Sequence, residues 1–270
     1  MSKLNDIKIA CIGVGNMGKA LTIGLCSHID SKNIFIYDAD SKQCEKLLAD
    51  CKVNISKSAN EACEYADIII LSVKPHIVWD VLGQIKDNIK NKTLVSVAAG
   101  VTISSISEKL HSETKIIRAM PNTPALVNKG MTAITASTNT DANVLETVKD
   151  IFQCVGEVIV LPENLFDAVT GLSGSGPAFV FTFIQALADA AVKLGIPRKE
   201  ALLLASQTVM GSAAMVVEKL ENPISLRDNV ASPGGTTIDG IYVLEERGFS
   251  GTVIDAVIKA AEKSKKLSQK

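Results

Sequence analysis

Histidine, aromatic side chains and paired cysteines are all scarce in this chain. Its three histidines, His28, His76 and His111, lie far apart. Its six cysteines, Cys11, Cys26, Cys44, Cys51, Cys63 and Cys154, form no Cys-x-x-Cys pair. Neither set has the spacing of a structural zinc site, so no metal is expected. Basic clusters are missing too. Lysine and arginine total 28 against 29 acidic residues, for a net charge of -1. That balance lacks the electrostatic footprint of a nucleic-acid binder. The lysines within 259–270 read as a solvated helix end. The first dozen residues contain Asp6 and only a short apolar run, which is no secretory leader. Free thiols in a reducing cytoplasm follow as the expectation. Two stretches, 168–188 and 201–217, lack charge, but glycine, serine, threonine and glutamine interrupt them. They are expected to be core or intersubunit helices rather than bilayer spans. Aromatics make up 4% of the chain. The single Trp79 and the trio Phe179, Phe181 and Phe183 are expected to pack inside rather than to stack on a ligand. The histidines are expected at surface or packing positions.

What is present is apolar and periodic. At 47% hydrophobic over 270 residues, the chain can bury one large core or two modest ones. Residues 1–162 alternate strands with helices. Apolar runs at 7–12, 33–37, 67–73, 93–97 and 115–118 predict strands of a buried parallel sheet, and 131–135 and 158–161 continue the pattern. Between them lie a helix running to about His28 and another over 41–50 with Ser41 near its cap. This order predicts an α/β fold, a Rossmann-like doubly wound sheet with helices on both faces. After Pro162 the strand pattern stops. Residues 163–270 read as helices punctuated at Gly195-Ile196-Pro197, Asn222-Pro223, Ser232-Pro233-Gly234-Gly235 and Gly248, a second, all-α domain.

Two loops carry chemistry. Gly13-x-Gly15-x-x-Gly18 follows an apolar strand and opens a helix, and Asp38 ends the next strand about 20 residues on, as a dinucleotide fingerprint requires. The first glycine allows the turn, the second admits a pyrophosphate, and the third lets helix and sheet approach. A carboxylate at Asp38 suits the ribose of NADH and repels a 2′-phosphate, though Lys42 can offset part of that; Asp38 as a helix cap is the alternative. Ser72-Val73-Lys74-Pro75 and Ala98-Ala99-Gly100 end later strands, on the side where open α/β sheets bind ligands. Met120-Pro121-Asn122-Thr123-Pro124 reads as architecture. Leu172 to Ala178, rich in glycine and serine, reads as a tight helix start that Ser175 caps. The second loop, Ser232-Pro233-Gly234-Gly235-Thr236-Thr237, is a polar turn opening a helix. Its free N–H groups suit a small anion such as a carboxylate.

In this order these motifs resemble the pyrroline-5-carboxylate reductase family, over nearly the whole chain. The resemblance implies reduction of 1-pyrroline-5-carboxylate to L-proline by NADH or NADPH, the last step of proline biosynthesis. It implies a helical domain that interlocks with a partner subunit, as a homodimer that assembles further into a decamer. It implies that the substrate lies between the nicotinamide and the helical domain of the dimer. By motif, Gly13, Gly15, Asn16, Met17, Gly18, Asn60, Ser72, Val73, Lys74, Pro75, Ala98 and Ala99 resemble cofactor contacts, joined by Asp38. Asn229, Ser232, Gly235, Thr236 and Thr237 resemble the substrate loop, with Glu163 a weaker match. Gly18 is often alanine in this family, and either residue is expected to fit. The substrate is a cyclic imine with a carboxylate. Reduction needs orientation and exclusion of water, and a hydroxyl such as Thr237 for the ring nitrogen, but no metal. A hydroxyacid dehydrogenase using a helical lysine, Lys193, and a non-catalytic nucleotide sensor stand as rival readings.

Overall fold

The computed structural model describes Leu4 and residues 6–268. Its first part forms one eight-stranded sheet. The strands are β1 (Ile9–Ile12), β2 (Ile34–Tyr37), β3 (Asn54–Ile55), β4 (Ile68–Leu71), β5 (Thr93–Ser96), β6 (Lys115–Met120), β7 (Gly130–Ala136) and β8 (Gly156–Val160). Their order is β3-β2-β1-β4-β5-β6-β7-β8. Helices α1 (Asn16–Cys26), α2 (Ser41–Leu48), α3 (Ala59–Tyr65), α4 (Val78–Ile85), α5 (Ile103–Ser107) and α6 (Ala142–Gln153) alternate with them. All strand pairs are parallel except β6–β7. The sequence pattern continued straight through this pair. Residues 121–129 between them hold only a short 3-10 turn (Thr123–Val127), too little for the crossover a parallel neighbour needs, so the chain doubles back. The strand β3 was not foreseen, because its exposed Asn54 and Ile55 make no apolar run.

The apolar runs are explained by two cores, one on each face. The pleat sends Ile9, Cys11, Ile68 and Ile70 to one side, against Leu21 and Leu25 of α1, Leu47 of α2 and Phe152 of α6. Ala10, Ile12, Ile69 and Leu71 face the other side, against α3 and α4. Strands buried on both faces must be apolar at every position, which is why they read as continuous runs rather than alternations. Local polar residues fix the helix starts. The cap of α2 is Asp40, whose side chain accepts from Lys42 N, one residue before the expected Ser41.

From Glu163 onward the chain is helical: a short 3-10 turn, α7 (Phe166–Val169), a wide turn over Thr170–Gly174, α8 (Gly176–Lys193), α9 (Arg198–Lys219), α10 (Pro223–Val230), α11 (Thr236–Glu246) and α12 (Phe249–Ser268). The long helix α8 does start inside the Gly- and Ser-rich motif, at Gly176 with Pro177 in its first turn, but Ser175 is itself in helical conformation and does not begin it afresh. Helix runs through it, with Ser175 N donating to Thr170 O at 2.8 Å in an i→i+5 bond. Two compact units result. One holds the chain up to Ser175 together with the segment from Lys259, and the other is Gly176–Ile258. In the second unit α8 and α9 pack along a narrow seam of Ala188, Ala201 and Ala205. Most of its other apolar side chains, including Phe181, Leu203, Met210 and Tyr242, are exposed in the single chain. The helical stretches 163–193 and 198–219 are long and apolar enough to cross a membrane by length and composition, and little of either is buried in one chain.

Candidate active site

The glycine loop is shaped by close packing. Gly13 has φ +93°, and a Cβ there would lie 2.5 Å from the carbonyl oxygen of Ser72. Only glycine meets both demands. A Cβ on Gly18 would collide with the carbonyl oxygen of Gly13 and approach the Cys11 thiol, so the alanine that the resemblance allows does not fit this backbone. Gly15 is different: a Cβ there would enter open space. That space belongs to a cavity of about 310 Å³ lined by Gly13, Gly15, Asp38, Ser72, Val73 and Lys74 among others. Asp38 holds the loop from the neighbouring strand end. One carboxylate oxygen accepts from Val14 N at 2.7 Å and the other from Asp40 N at 2.9 Å. The helix cap is therefore Asp40, and Asp38 is a brace for the glycine loop that also faces the cavity. The hydroxyl oxygen of Ser72 is buried on this wall without a hydrogen-bond partner among the described residues; Oδ1 of Asn60, off this wall, is likewise unpartnered. The orphaned Ser72 hydroxyl and an open glycine cradle fit a polar ligand such as a dinucleotide.

A second cavity, of about 900 Å³, continues along the strand ends and shares His76 with the first. Pro75, Trp79, Ala99, Gly100, Val101 and Ser105 form one wall, and Thr170 and Ser175 flank the wide turn on another. The last turns of α12 complete it with Lys263, Ser264 and Ser268. Ser264 Oγ donates to Asp167 Oδ1 at 2.6 Å, which fixes α12 to α7. Trp79 was expected in the core but is 40% exposed and faces this cavity. On α4 it falls beside Val78, which takes the buried position. The other two histidines are engaged locally: His28 Nδ1 with Gly24 O at 2.9 Å, and His111 Nε2 with Asp87 at 2.9 Å. The described cysteines are all free. Burial pushes Cys11 and Cys63 up to about 12, which leaves them as packing residues rather than nucleophiles.

Other sequence candidates fall in several places. Asn16 and Met17 open α1; Asn16 is exposed and Met17 packs partly on the core. Asn60 sits in the first turn of α3 and is not on the wall of either cavity. Ala98 is buried in the core, whereas Ala99 faces the larger cavity. Glu163 is committed elsewhere. Its Oε1 accepts from Arg118 Nη1 at 3.0 Å and from Ile103 N at 2.8 Å. Arg118, within β6, is the partner that the sequence does not reveal, since a lone arginine in a strand carries no signal of where it points. In the helical unit, Asn229 lies on α10, and Ser232 O accepts from Gly235 N at 3.0 Å. Thr236 and Thr237 open α11 after Gly235, and their hydroxyls have no hydrogen-bond partner among the described residues. No group of three or more potential metal ligands occurs among the described residues.

Comparison with known proteins gives the same picture in its two parts. The family model described as pyrroline-5-carboxylate reductase dimerisation matches residues 163–267. One described as NADP oxidoreductase coenzyme F420-dependent matches residues 8–100. The pyrroline-5-carboxylate reductase of Escherichia coli is 47% identical over 265 residues, covering 97% of this chain and 98% of that protein. The crystal structure of Plasmodium falciparum pyrroline carboxylate reductase with NADP bound superposes with a TM-score of 0.89 at 37% identity, covering 98% and 99% of the two chains. The Coxiella burnetii pyrroline-5-carboxylate reductase gives 0.92 at 34% identity, covering 97% and 99%.

Proposed function

The chain belongs to the pyrroline-5-carboxylate reductase family and reduces 1-pyrroline-5-carboxylate to L-proline, and we propose that its cofactor lies across the carboxyl ends of β2, β1, β4 and β5. The observation that carries this is the pair of cavities sharing His76 along those ends, with a glycine loop and a carboxylate in one and small residues in the other. When bound, a dihydronicotinamide supplies the hydride. Gly13, Gly15, Asn16, Met17 and Gly18 would hold the pyrophosphate with backbone N–H groups and the start of α1. Asp38 would accept from the adenosine ribose, with its Val14 and Asp40 bonds fixing its direction; on that ground NADH is preferred to NADPH. Ser72, Val73, Lys74 and Pro75 line the path between the cavities, whereas Asn60, off both walls, is given no contact. Ala98 and Ala99 leave room for a flat ring.

The substrate side rests on α11. Its N-terminus, with Ser232, Gly235 and Thr236, would bind the substrate carboxylate, and Asn229 would close that pocket. The Thr237 hydroxyl would hydrogen-bond the ring nitrogen as it becomes an amine. The protonated imine is already electrophilic, so alignment and water exclusion carry the rate. Residues 163–270 serve as the dimerisation and substrate domain of a homo-oligomer. A homodimer assembling into a decamer, in the cytoplasm, completes the reading. The test is direct: purified protein is mixed with 1-pyrroline-5-carboxylate, and NADH and NADPH oxidation is followed. Turnover with a higher kcat/KM for NADH is the expected result. Absence of turnover with both cofactors defeats the activity, and a preference for NADPH defeats the role given to Asp38.

A further inference from the structure

Arg118 and Glu163 form an ion pair that the reaction as described does not use. Arg118 projects from β6 and is 4% exposed. A buried guanidinium is costly unless paired and hydrogen-bonded. Here Glu163 Oε1 takes its Nη1 at 3.0 Å, and the Phe166 ring lies 4.8 Å from its guanidinium carbon. Phe166 is itself 1% exposed. The same Glu163 oxygen accepts from Ile103 N at 2.8 Å, at the start of α5. Thr102 and Ser105 cap that helix reciprocally. Three segments are thus tied at one carboxylate: the loop after β5, strand β6, and the helical stretch that begins at Glu163.

Two of those segments are cavity walls. The loop after β5 carries Ala99, Gly100 and Val101 into the cavity, and Ser105 follows on α5. The helical stretch carries Thr170, whose hydroxyl donates to Phe166 O at 2.8 Å, and then Ser175 across the wide turn. Glu163 itself lines a different, hydroxyl-rich cavity with Ile103 and His111, not the one that holds Ala99 and Gly100. Its carboxylate is therefore placed to act on the backbone, not on a ligand in the larger cavity.

We propose that Arg118 is a positioning residue for hydride transfer: with Glu163 and Phe166 it fixes the spacing between the Ala99–Gly100 wall and the Thr170–Ser175 wall. This rests on the reading that the nicotinamide lies against Ala99. Misplacement of reacting groups by about 1 Å costs on the order of 100-fold in rate, so a brace that sets this spacing has a kinetic signature distinct from simple destabilisation. The experiment uses the full-length enzyme with Arg118→Met, Arg118→Lys and Glu163→Gln. Three quantities are measured: NADH affinity by fluorescence titration, kcat and KM with 1-pyrroline-5-carboxylate, and the primary isotope effect with NADH deuterated at the transferred position. For Arg118→Met, kcat falls roughly 10- to 100-fold, the isotope effect rises, and NADH affinity changes less than about threefold, because the adenosine end is held elsewhere. Arg118→Lys restores part of kcat. Glu163→Gln, which keeps an acceptor for Ile103 N, loses less than Arg118→Met. Amide hydrogen exchange over residues 98–105 rises in both Arg118 variants and reads the brace without turnover, which also serves if the wild type reduces no imine. Wild-type kcat and isotope effect in Arg118→Met overturn the proposal. So does unchanged exchange over 98–105, and so does a loss in Glu163→Gln confined to a higher substrate KM, which would make Glu163 a ligand contact. Failure of the wild type to oxidise either cofactor strikes the assigned reaction and leaves the exchange result to judge the brace.

Discussion

Asp38 shows how one carboxylate can serve structure and choice together. Both its oxygens are engaged by backbone N–H groups, yet a carboxylate retains further acceptor capacity and Asp38 lines the cavity. A 2′-phosphate there would meet a fixed negative charge. In Asp38→Ser the kcat/KM ratio of NADH to NADPH is expected to fall at least tenfold. The loop loses its Val14 bond as well, so NADH affinity itself drops; an unchanged ratio would limit Asp38 to bracing the loop. Thr237 offers a sharper separation. Thr237→Ala keeps the N–H and removes only the hydroxyl. Its kcat should fall about 10- to 100-fold, equivalent to about 1.4 to 3 kcal/mol of barrier, with NADH affinity unchanged. Thr237→Val, closer in shape, should match it. Wild-type kcat and KM in both would leave the residue no role beyond opening α11.

At the scale of the element, α1 carries the tightest constraint. Its third residue, Gly18, packs against the Gly13 carbonyl, and the Cys11 thiol lies beneath. Gly18→Ala must push the helix away from the loop. Overpacking of this kind costs about 1–3 kcal/mol. The expected result is a lower Tm together with a raised KM for NADH, measured by thermal melting and steady-state kinetics. A wild-type Tm and KM would mean that the loop relaxes freely around the added methyl. Element α11 is the counterpart in the helical unit. Its start at Thr236 follows a cap, Gly235, that brings no side-chain hydrogen bond, which leaves its N–H groups available to a ligand.

At the scale of the whole molecule, the apolar surface of the helical unit demands partners. Leu203 is 70% exposed and Met210 60%, one above the other on α9 at a spacing of seven residues. So much exposed apolar surface on one chain marks an interface. The double variant Leu203→Glu, Met210→Glu is expected to run as a monomer in light scattering and to lose turnover. Its NADH binding should persist, because the glycine loop lies in the other compact unit. A variant that stays oligomeric and active would move the interface away from α9.

Much of this architecture followed from local chemistry that does not depend on the fold. Short runs of branched apolar residues bounded by turn residues suit strands buried on both faces, and Gly13, Gly18 and Asp38 at their spacing suit a nucleotide loop. Gly195 and Gly248 follow the ends of α8 and α11 with positive φ, which glycine adopts at little cost, and Asn222-Pro223 opens α10, with Asn222 as its cap and Pro223 in its first turn. Other features had no local cause and were decided by packing. Strand β7 reversed because its connection was short, which depends on where β6 ended. Trp79 faced the cavity because its neighbour Val78 took the core side. The wide turn over Thr170–Gly174 joined α7 to α8 by satisfying its own backbone, where glycine and serine read only as the start of the second helix. Glu163 became part of a brace because Arg118, 45 residues away in the chain, was brought beneath it. Residues determine what an element can be; the distance between elements, and with it the geometry of the site, exists only once the chain has packed.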